Sequence, residues 1–410
     1  MPDDRAPRSE LRPLLDEIEA SPPVAAVQVF AAQLVRDVDA RQVSFLIADL
    51  AGRSLVRITQ HVAPPQPDRL AEKVPLTGSA HGRAVRTQQV QVLAEDDGVR
   101  LLAPVTSRGD VVGVLELVLP EHPDEQTIDH VTAAAHALAY VVIAERRYTD
   151  LYEWGQRTAP ITLAAEIQRR LLPESFTCEA GPFTLAGWLE PATSIGGDTF
   201  DYALDPGHLD ISITDAMGHE VDAALLATLA VGSLRNSRRG GADLAEMAAR
   251  AAEAVAAHYG GARFVTGQLL RIDLDTGAAT IVNAGHPPPF RVRDGRAKPI
   301  ALAPDLPLGV LPEIGYRAQR LAVEPGDRIV LVTDGMLERN ASRVDLPAVI
   351  AGTRDLHPRE AVHALATAVL DASNGKLRDD ATVLCLDWYG GDPSRDRQTT
   401  AGASPGRAST

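Results

Sequence analysis

Three stretches of alternating or wholly apolar residues meet aspartate at an end: LDISIT runs into Asp215, RIVLVT into Asp334, and Asp379-Asp380 precede ATVLCLD. Stretches of this pattern read as strands with at least one buried face, so each carboxylate stands at the rim of a core. If the strand ending at Asp334 runs antiparallel to the one that starts after Asp380, an end and a start fall on the same sheet edge. A fourth acid, Asp198 in SIGGDTFD, follows two glycines whose missing Cβ lets the backbone approach a neighbour closely. Carboxylates gathered this way repel one another, and a cation is needed to keep them ionised together. Oxygen ligands without thiolate or imidazole select hard ions, Mg2+ or Mn2+, over zinc. Two such ions a few ångströms apart can share a water, lower its pKa and clamp the oxygens of a phosphoryl group. Phosphoester hydrolysis is the natural chemistry. Of the competing devices, GxxxxGK[ST] is absent, and GxSxG occurs only as GASPG, Gly402 to Gly406, in a polar tail with no apolar strand before it to build a nucleophile elbow.

A length of 410 residues predicts two or three domains, each able to bury its own core. Hydrophobic residues at 45% and charged residues at 23% fit a globular chain, and aromatics at 4% leave aliphatic side chains to fill the cores. Forty Lys and Arg against 55 Asp and Glu give a net charge of −15. That sign disfavours nucleic acid and anionic membrane surfaces as partners. The two cysteines, Cys178 and Cys385, have neither a CxxC nor a Cys/His spacing, which argues against a disulfide scaffold or zinc site and fits a reducing cytoplasm. The N-terminus has no apolar signal core, and the longest apolar stretch, Val131 to Ala144, carries His136 and is shorter than a membrane span. The expected location is cytoplasmic, with no membrane.

Residues 1–21 and 390–410 are polar and poor in anything to bury, and both read as disordered. From Val24 a helical period through Val27, Ala31, Leu34 and Val38 leads into two strands around Ala51-Gly52-Arg53. A short helix at Ala80 to Thr87 precedes three strands, with Ser107-Arg108-Gly109-Asp110 as a hairpin turn, and Asp124 opens a long helix. The order α-β-β-α-β-β-β-α over residues 22–148, with VPLTGSAHGRAVRTQQVQVL in its middle, resembles a GAF sensor domain; a PAS domain is the runner-up. The resemblance implies an N-terminal sensor for a small ligand or partner that the sequence does not name. The helix from Asp124 is expected to continue through Tyr148 and Leu151. A second amphipathic helix follows, with Leu163, Ile167 and Leu171 on one face, stopping at Leu172-Pro173. Residues 149–175 therefore read as a helical linker or switch able to pair with a second copy in a homodimer; the alternative is that these residues pack on their own domains.

Residues 176–389 give strands, two Ala-rich helices and further strands, with hairpin turns at Asp275-Thr276-Gly277 and Asp294-Gly295, and with Asp243 and Glu246 spaced as a capping box. Six segments stand here in order: RRLLPESF, SIGGDTFD, ITDAMGHEVDAALLA, IVNAGHPPPF, LVTDGMLERN and DDATVLCL. Together they resemble the bacterial PP2C-like (PPM) serine/threonine phosphatases of the SpoIIE and RsbU type, over about residues 160–388. The resemblance implies a C-terminal α-β-β-α sandwich and hence an α+β chain. It also implies a site for two ions of Mg2+ or Mn2+, and a phosphorylated regulatory protein such as an anti-sigma-factor antagonist as substrate. Carried over by position, Asp215 matches the metal-bridging aspartate, Ala216 a backbone-carbonyl ligand, and Asp334 and Asp379 the ligands of the second ion. Asp198 matches an aspartate that binds metal directly or through water. Asp380 has the weaker claim, because adjacent residues on a strand face opposite ways.

Two positions depart from that pattern. Glu220 stands where glycine is common after the G-H pair, so the loop past Met217-Gly218-His219 is expected to differ in backbone conformation. No arginine immediately precedes Gly196-Gly197-Asp198 to hold a substrate phosphate. His286, in a turn with three prolines, reads as packed rather than as a general acid; His219 lies beside Asp215 at a position that tolerates lysine; Asp201 is expected to bond a nearby backbone group. A diguanylate cyclase shares the letters GGD, but Thr199-Phe200 lack its second acid, and TDG and DDAT have no place in that fold. The rival from another class is a non-catalytic sensor or scaffold that uses a phosphatase-like domain for binding alone.

Overall fold

The computed structural model describes residues 11–58, 73–158, 160–191, 196–337, 344–375 and 377–390. It divides into two compact units between Pro160 and Ile161.

In the first unit α1 (Leu11–Ala20) and α2 (Ala26–Val38) precede β1 (Gln42–Ala48), β2 (Ser54–Ile58) and β3 (Lys73–Pro75). Then come α3 (Ala80–Thr87), β4 (Gln91–Glu95), β5 (Gly98–Ser107), β6 (Asp110–Leu119), α4 (Glu125–Glu145) and α5 (Leu151–Gln156). The sheet is antiparallel in the order β3-β2-β1-β6-β5-β4. One face buries Phe45, Leu101 and Leu115 against Leu34 of α2 and Val131 and Leu138 of α4. The other lies under α3, where Leu46, Leu102 and Val114 meet Ala84.

Three expectations change here. The loose segment 1–21 contains a helix, α1: Leu14 and Ile18, one turn apart, pack on the sheet core, a pairing that average composition conceals. Residues 1–10 lie outside the described residues. The long helix does not run on to Leu151. It ends at Glu145 and the chain re-enters as α5, because Leu151 and Tyr152 are buried in the same core as Leu138. By length and composition α4 is also apolar enough to cross a membrane, whereas the Val131 to Ala144 stretch alone was read as too short; its Val131, Ala135, Leu138 and Val142 face is core. The apolar stripe thus packs on its own domain.

The second unit begins with α6 (Leu163–Leu171), so the 149–175 segment is split between the units. Its buried face is Ala164, Gln168 and Leu171, while Leu163 is exposed. β7 (Thr177–Glu179), β8 (Phe183–Glu190), β9 (Asp198–Leu204) and β10 (His208–Ala216) follow, then α7 (Glu220–Arg239) and α8 (Leu244–Tyr259). Next come β11 (Val265–Asp273), β12 (Ala279–Ala284), β13 (Phe290–Arg293), β14 (Arg296–Pro299), β15 (Gln319–Leu321) and β16 (Arg328–Val332). The described chain closes with α9 (Leu346–Gly352), α10 (Pro358–Ala372) and β17 (Ala381–Trp388).

Two antiparallel sheets form, β15-β12-β11-β10-β9 and β14-β13-β16-β17-β8-β7. Their facing sides bury Phe183, Phe200, Ile213, Leu270, Leu331 and Leu384 together. Each outer side carries helices: α7 and α8 pack Leu226, Ala230 and Ala248 on Leu269 and Val282, and α9 and α10 pack Ile350 and Leu365 on Val330 and Val383. The result is a four-layer α-β-β-α sandwich with the aliphatic cores that the composition requires. Asp243 caps α8 by accepting from Glu246 N at 2.9 Å. At the predicted β13–β14 turn Asp294 and Gly295 both take positive φ, +51° and +73°, as a two-residue hairpin of this kind demands.

Candidate metal centre

Strand polarity brings the acids to one edge. β9 starts at Asp198 and β10 ends one residue past Asp215; the two strands are antiparallel, with Asp198 paired in register with Asp215. In the other sheet β16 leads through Thr333 to Asp334, and β17 begins directly after Asp380. These strands are also antiparallel, and Thr333 N donates to Thr382 O at 3.1 Å just inside the acids.

Asp198 ties the two sheets together at this edge. It is buried, and its Oδ2 accepts from Thr333 Oγ1 at 2.7 Å and Thr382 Oγ1 at 2.6 Å, one hydroxyl from each strand of the opposite sheet. Asp380, fully buried, is held as firmly: its Oδ2 accepts from Gln168 Nε2 at 2.6 Å and from Gly196 N at 3.1 Å. Glycine is required where these backbones close in. A Cβ on Gly196 would lie 2.7 Å from Asp379 Oδ1, one on Gly197 2.4 Å from the Ala216 carbonyl oxygen, and one on Gly335 2.0 Å from the Asp380 carbonyl oxygen. Ala216 thus presents its carbonyl beside the glycine pair, and its N–H donates to Gly197 O at 3.2 Å.

The electrostatics follow from crowding. Burial, and then the charges of Asp334, Asp379 and Asp380, push the Asp215 carboxyl up to about 7. Burial together with Asp215 and Asp380 raises Asp198 well above the carboxylate range, and burial with Asp379 raises Asp334. A divalent cation among them reverses the sense of every one of these interactions. The donors are all oxygen, which fits Mg2+ or Mn2+. Among the described residues, no three acidic, histidine or cysteine side chains close around a single point as an ion-binding group. The acids share an edge, and two of them are tied off by neutral donors.

Asp198, Asp215, Ala216, Asp334 and Asp379 therefore stand together at one edge, and Asp380 joins them in a different capacity. Ser194 and Ile195 of the glycine segment, and Arg339 and Asn340 after TDG, lie outside the described residues. His219 is exposed at the start of α7. His286 is buried, with Nδ1 at 2.9 Å from Thr266 Oγ1 and its N–H on Asn283 Oδ1. Asp201 corrects its expectation: its carboxylate pairs with Arg235 at 2.9 Å and Arg238 at 3.0 Å on α7 rather than with backbone. The spacing of 34 residues hides that pair from local reading. Sequence reasoning also passed over Thr333 and Thr382, although both sit inside the TDG and DDAT segments, and Gln168, which no local pattern marks.

The family model described as Stage II sporulation protein E (SpoIIE) matches residues 205–389, a segment that contains Asp215, Asp334, Asp379 and Asp380. Among curated proteins, the phosphoserine phosphatase RsbU of Bacillus subtilis is 24% identical over 237 residues, covering 55% of this chain and 69% of RsbU. The phosphoserine phosphatase RsbP of the same organism is 26% identical over 188 residues, covering 44% of this chain and 46% of RsbP, so the chain spans about half of that relative. A solved structure of RsbU and RsbW domains from Mycobacterium tuberculosis aligns at 23% identity with a TM-score of 0.47, over 53% of this chain and 63% of that one. The SpoIIE family model thus matches most of the second unit of this chain, residues 205–389.

Proposed function

We propose that this chain is a metal-dependent protein phosphatase of bacterial signalling, which hydrolyses phosphoserine or phosphothreonine on a regulatory protein. The observation that carries this reading is the convergence of Asp198, Asp215, Asp334 and Asp379 on one edge of the two sheets, in a domain whose relatives are named phosphoserine phosphatases. The substrate class that fits best is a phosphorylated anti-sigma-factor antagonist.

Asp215, the Ala216 carbonyl, Asp334 and Asp379 would hold two ions of Mg2+ or Mn2+, with Asp198 contributing directly or through water. When bound, such ions supply an acidified water and neutralise the phosphoryl oxygens. The chain's own groups set the geometry. Thr333 and Thr382 fix which oxygen of Asp198 is turned away from the edge. Gln168 and the Gly196 N–H hold Asp380, which acts as an anchor for the glycine loop more than as a ligand.

The first unit, whose sequence resembles a GAF domain, is the sensor in this reading. Its signal reaches the acids through α6, the helix that follows Pro160 in the chain and carries Gln168, by shifting the population of a metal-competent edge. Cys178 and Cys385 are both buried and form no disulfide with each other, in keeping with a cytoplasmic enzyme.

The test is hydrolysis of a phosphoserine-bearing antagonist protein, and of p-nitrophenyl phosphate, by the full chain with Mn2+. Turnover should stop with EDTA and be abolished in Asp215→Asn while the circular dichroism spectrum is retained. Absence of metal-dependent turnover, with tight binding of the phosphoprotein, would establish the scaffold instead.

A further inference from the structure

Hairpin β13–β14 carries a charge pattern that its own register penalises. Arg291 stands opposite Lys298 and Arg293 opposite Arg296, so one face presents four cations as two directly opposed like-charge pairs. Opposed positions hold their Cβ atoms about 5 Å apart, and like charges there destabilise a sheet. The alternate residues Phe290, Val292 and Ala297 turn to the other face and pack with the core under α9 and α10. The register that buries them forces the cations together.

Compensation within the chain is partial. Arg293 is neutralised, with Nε and Nη2 on Asp327 at 2.7 and 2.6 Å and Nη1 on Glu324 at 2.7 Å. Arg291 donates to a carbonyl, Ala322 O, at 3.1 Å, and not to a carboxylate. The side chains of Arg296 and Lys298 are exposed and have no partner among the described residues. At the tip, Arg354 Nη1 lies 3.3 Å from where a Cβ on Gly295 would sit, but that guanidinium is paired with Asp355 at 4.0 Å and is not part of the cleft lining. Arg291, Arg293, Arg296 and Lys298, with the single acid Asp294, line a cleft of about 320 Å³.

β14 is an edge strand, and an isolated Lys or Arg on an edge deters pairing with other chains. Edge protection accounts for one such charge. It does not account for two opposed pairs converging on a cleft in a chain of net charge −15. Position separates the cleft from the acidic edge: Phe290 pairs with Val330 and Val292 with Arg328, so the hairpin runs toward the end of β16 opposite Asp334.

We propose that this cleft binds a compact polyanion of the phosphate class, whose charge offsets the opposed cations. Guanidinium forks donate to phosphate oxygens in pairs, and the two opposed pairs are two residues apart along the strands, about 7 Å. The lining has no aromatic or aliphatic side chain, so the phosphate chain is recognised and a nucleotide base adds nothing.

The experiment is calorimetric titration of the full chain in EDTA, which keeps phosphates from being recruited through metal at the acidic edge, with tripolyphosphate and with ATP. Saturable binding is expected for both, with similar affinity, weakening steeply with salt. Arg296→Glu and Lys298→Glu should each weaken it by about tenfold or more with an unchanged circular dichroism spectrum. Ligand-free Lys298→Glu should also melt higher than the parent, because it replaces the opposition to Arg291 by attraction. No saturable binding, binding indifferent to both variants, ATP bound far more tightly than tripolyphosphate, or a polyglutamate peptide preferred to either would overturn the proposal.

Discussion

The side-chain amide of Gln168 donates to Asp380 Oδ2 at 2.6 Å and to the backbone oxygen of Asp198 at 2.9 Å, so a single residue of α6 grips both sheets at the acidic edge. All three groups are buried, and a hydrogen bond to a buried charged group contributes about 1.5–3 kcal/mol. Gln168→Leu removes both bonds while keeping an apolar side chain of similar size. Turnover of a phosphoserine substrate should fall by about tenfold to a hundredfold, the same energy expressed as rate, with KM less affected. Gln168→Glu should fall further, because it sets a second carboxylate against Asp380. Steady-state kinetics alongside circular dichroism decide the matter; unchanged kcat in the folded Leu variant would remove Gln168 from the positioning role.

His286 lies in the turn beside Thr266, the register partner of Asp215, yet its surroundings keep it out of proton transfer. Burial, opposed by the Val332 carbonyl, lowers its imidazole to about 4 from 6.5. Between those values the unfolded chain binds the proton and the folded chain does not, so stability is intact above about 6.5 and is lost as pH falls toward about 4. His286→Gln should flatten that part of the stability profile and lower Tm. It should leave kcat within about threefold, where loss of a general acid would cost a factor of about a hundred or more. Urea titrations from pH 4 to 7 and a kcat profile check the two halves separately.

What was legible in the sequence had short-range causes. Asp215 and Asp334 close apolar strands and Asp379 precedes one, and antiparallel pairing alone places such ends on a common edge. The Asp294-Gly295 and Ser107 to Asp110 turns announce themselves because few residues tolerate the positive φ they need. What stayed hidden depends on partners far apart in the chain. Asp201 meets Arg235, Asp198 meets Thr382 across 184 residues, and Gln168 meets Asp380 across 212. In α6 the apolar stripe pointed to Leu163, whereas the helix buries a polar residue because the acids opposite require a donor. The break between α4 and α5 was missed because the charged stretch between them reads equally well as a solvated helix face.

Glu220 occupies the left-handed region at φ +57°, just after Gly218 at +114°. The sequence marked this position as one where glycine is usual, and the backbone supplies the reason: an L side chain there costs roughly 1–2 kcal/mol. Part of that is offset by the greater freedom glycine has in the unfolded chain, about 0.4–1 kcal/mol. Glu220→Gly should therefore be neutral to mildly stabilising, by up to about 1 kcal/mol, with metal-dependent activity retained. Glu220→Val, branched at Cβ, should destabilise. Paired thermal melts give the sign of each change; a Gly variant clearly less stable than the parent would show that the Glu220 side chain makes a contribution larger than its strain.

In the first unit Glu116 is buried on the central strand β6 among basic side chains. Arg57 Nη2 lies at 2.8 Å, His81 Nε2 at 2.9 Å and Arg100 Nη1 at 3.1 Å from its carboxylate. Burial alone would raise its carboxyl. The hydrogen bonds from His81 and Arg57 and the charges of Arg57 and Arg100 outweigh burial and lower it to about 2 from 4.5. A carboxyl depressed on folding contributes stability that is fully present above its unfolded value and is lost as the folded group takes up its proton. The window is therefore about pH 4.5 down to about 2, and the contribution is on the order of 3 kcal/mol. Glu116→Gln should lose that amount at neutral pH, since it removes the charge that Arg57 faces and leaves Arg100 with Glu95 alone, and should show little further loss across the window. Hydrogen exchange of the β5 and β6 amides in the full chain, corrected for intrinsic rates, reads this unit directly. A Gln variant that loses β6 protection in step with the parent between pH 4.5 and 2 would mean that another acid controls the unit's acid stability.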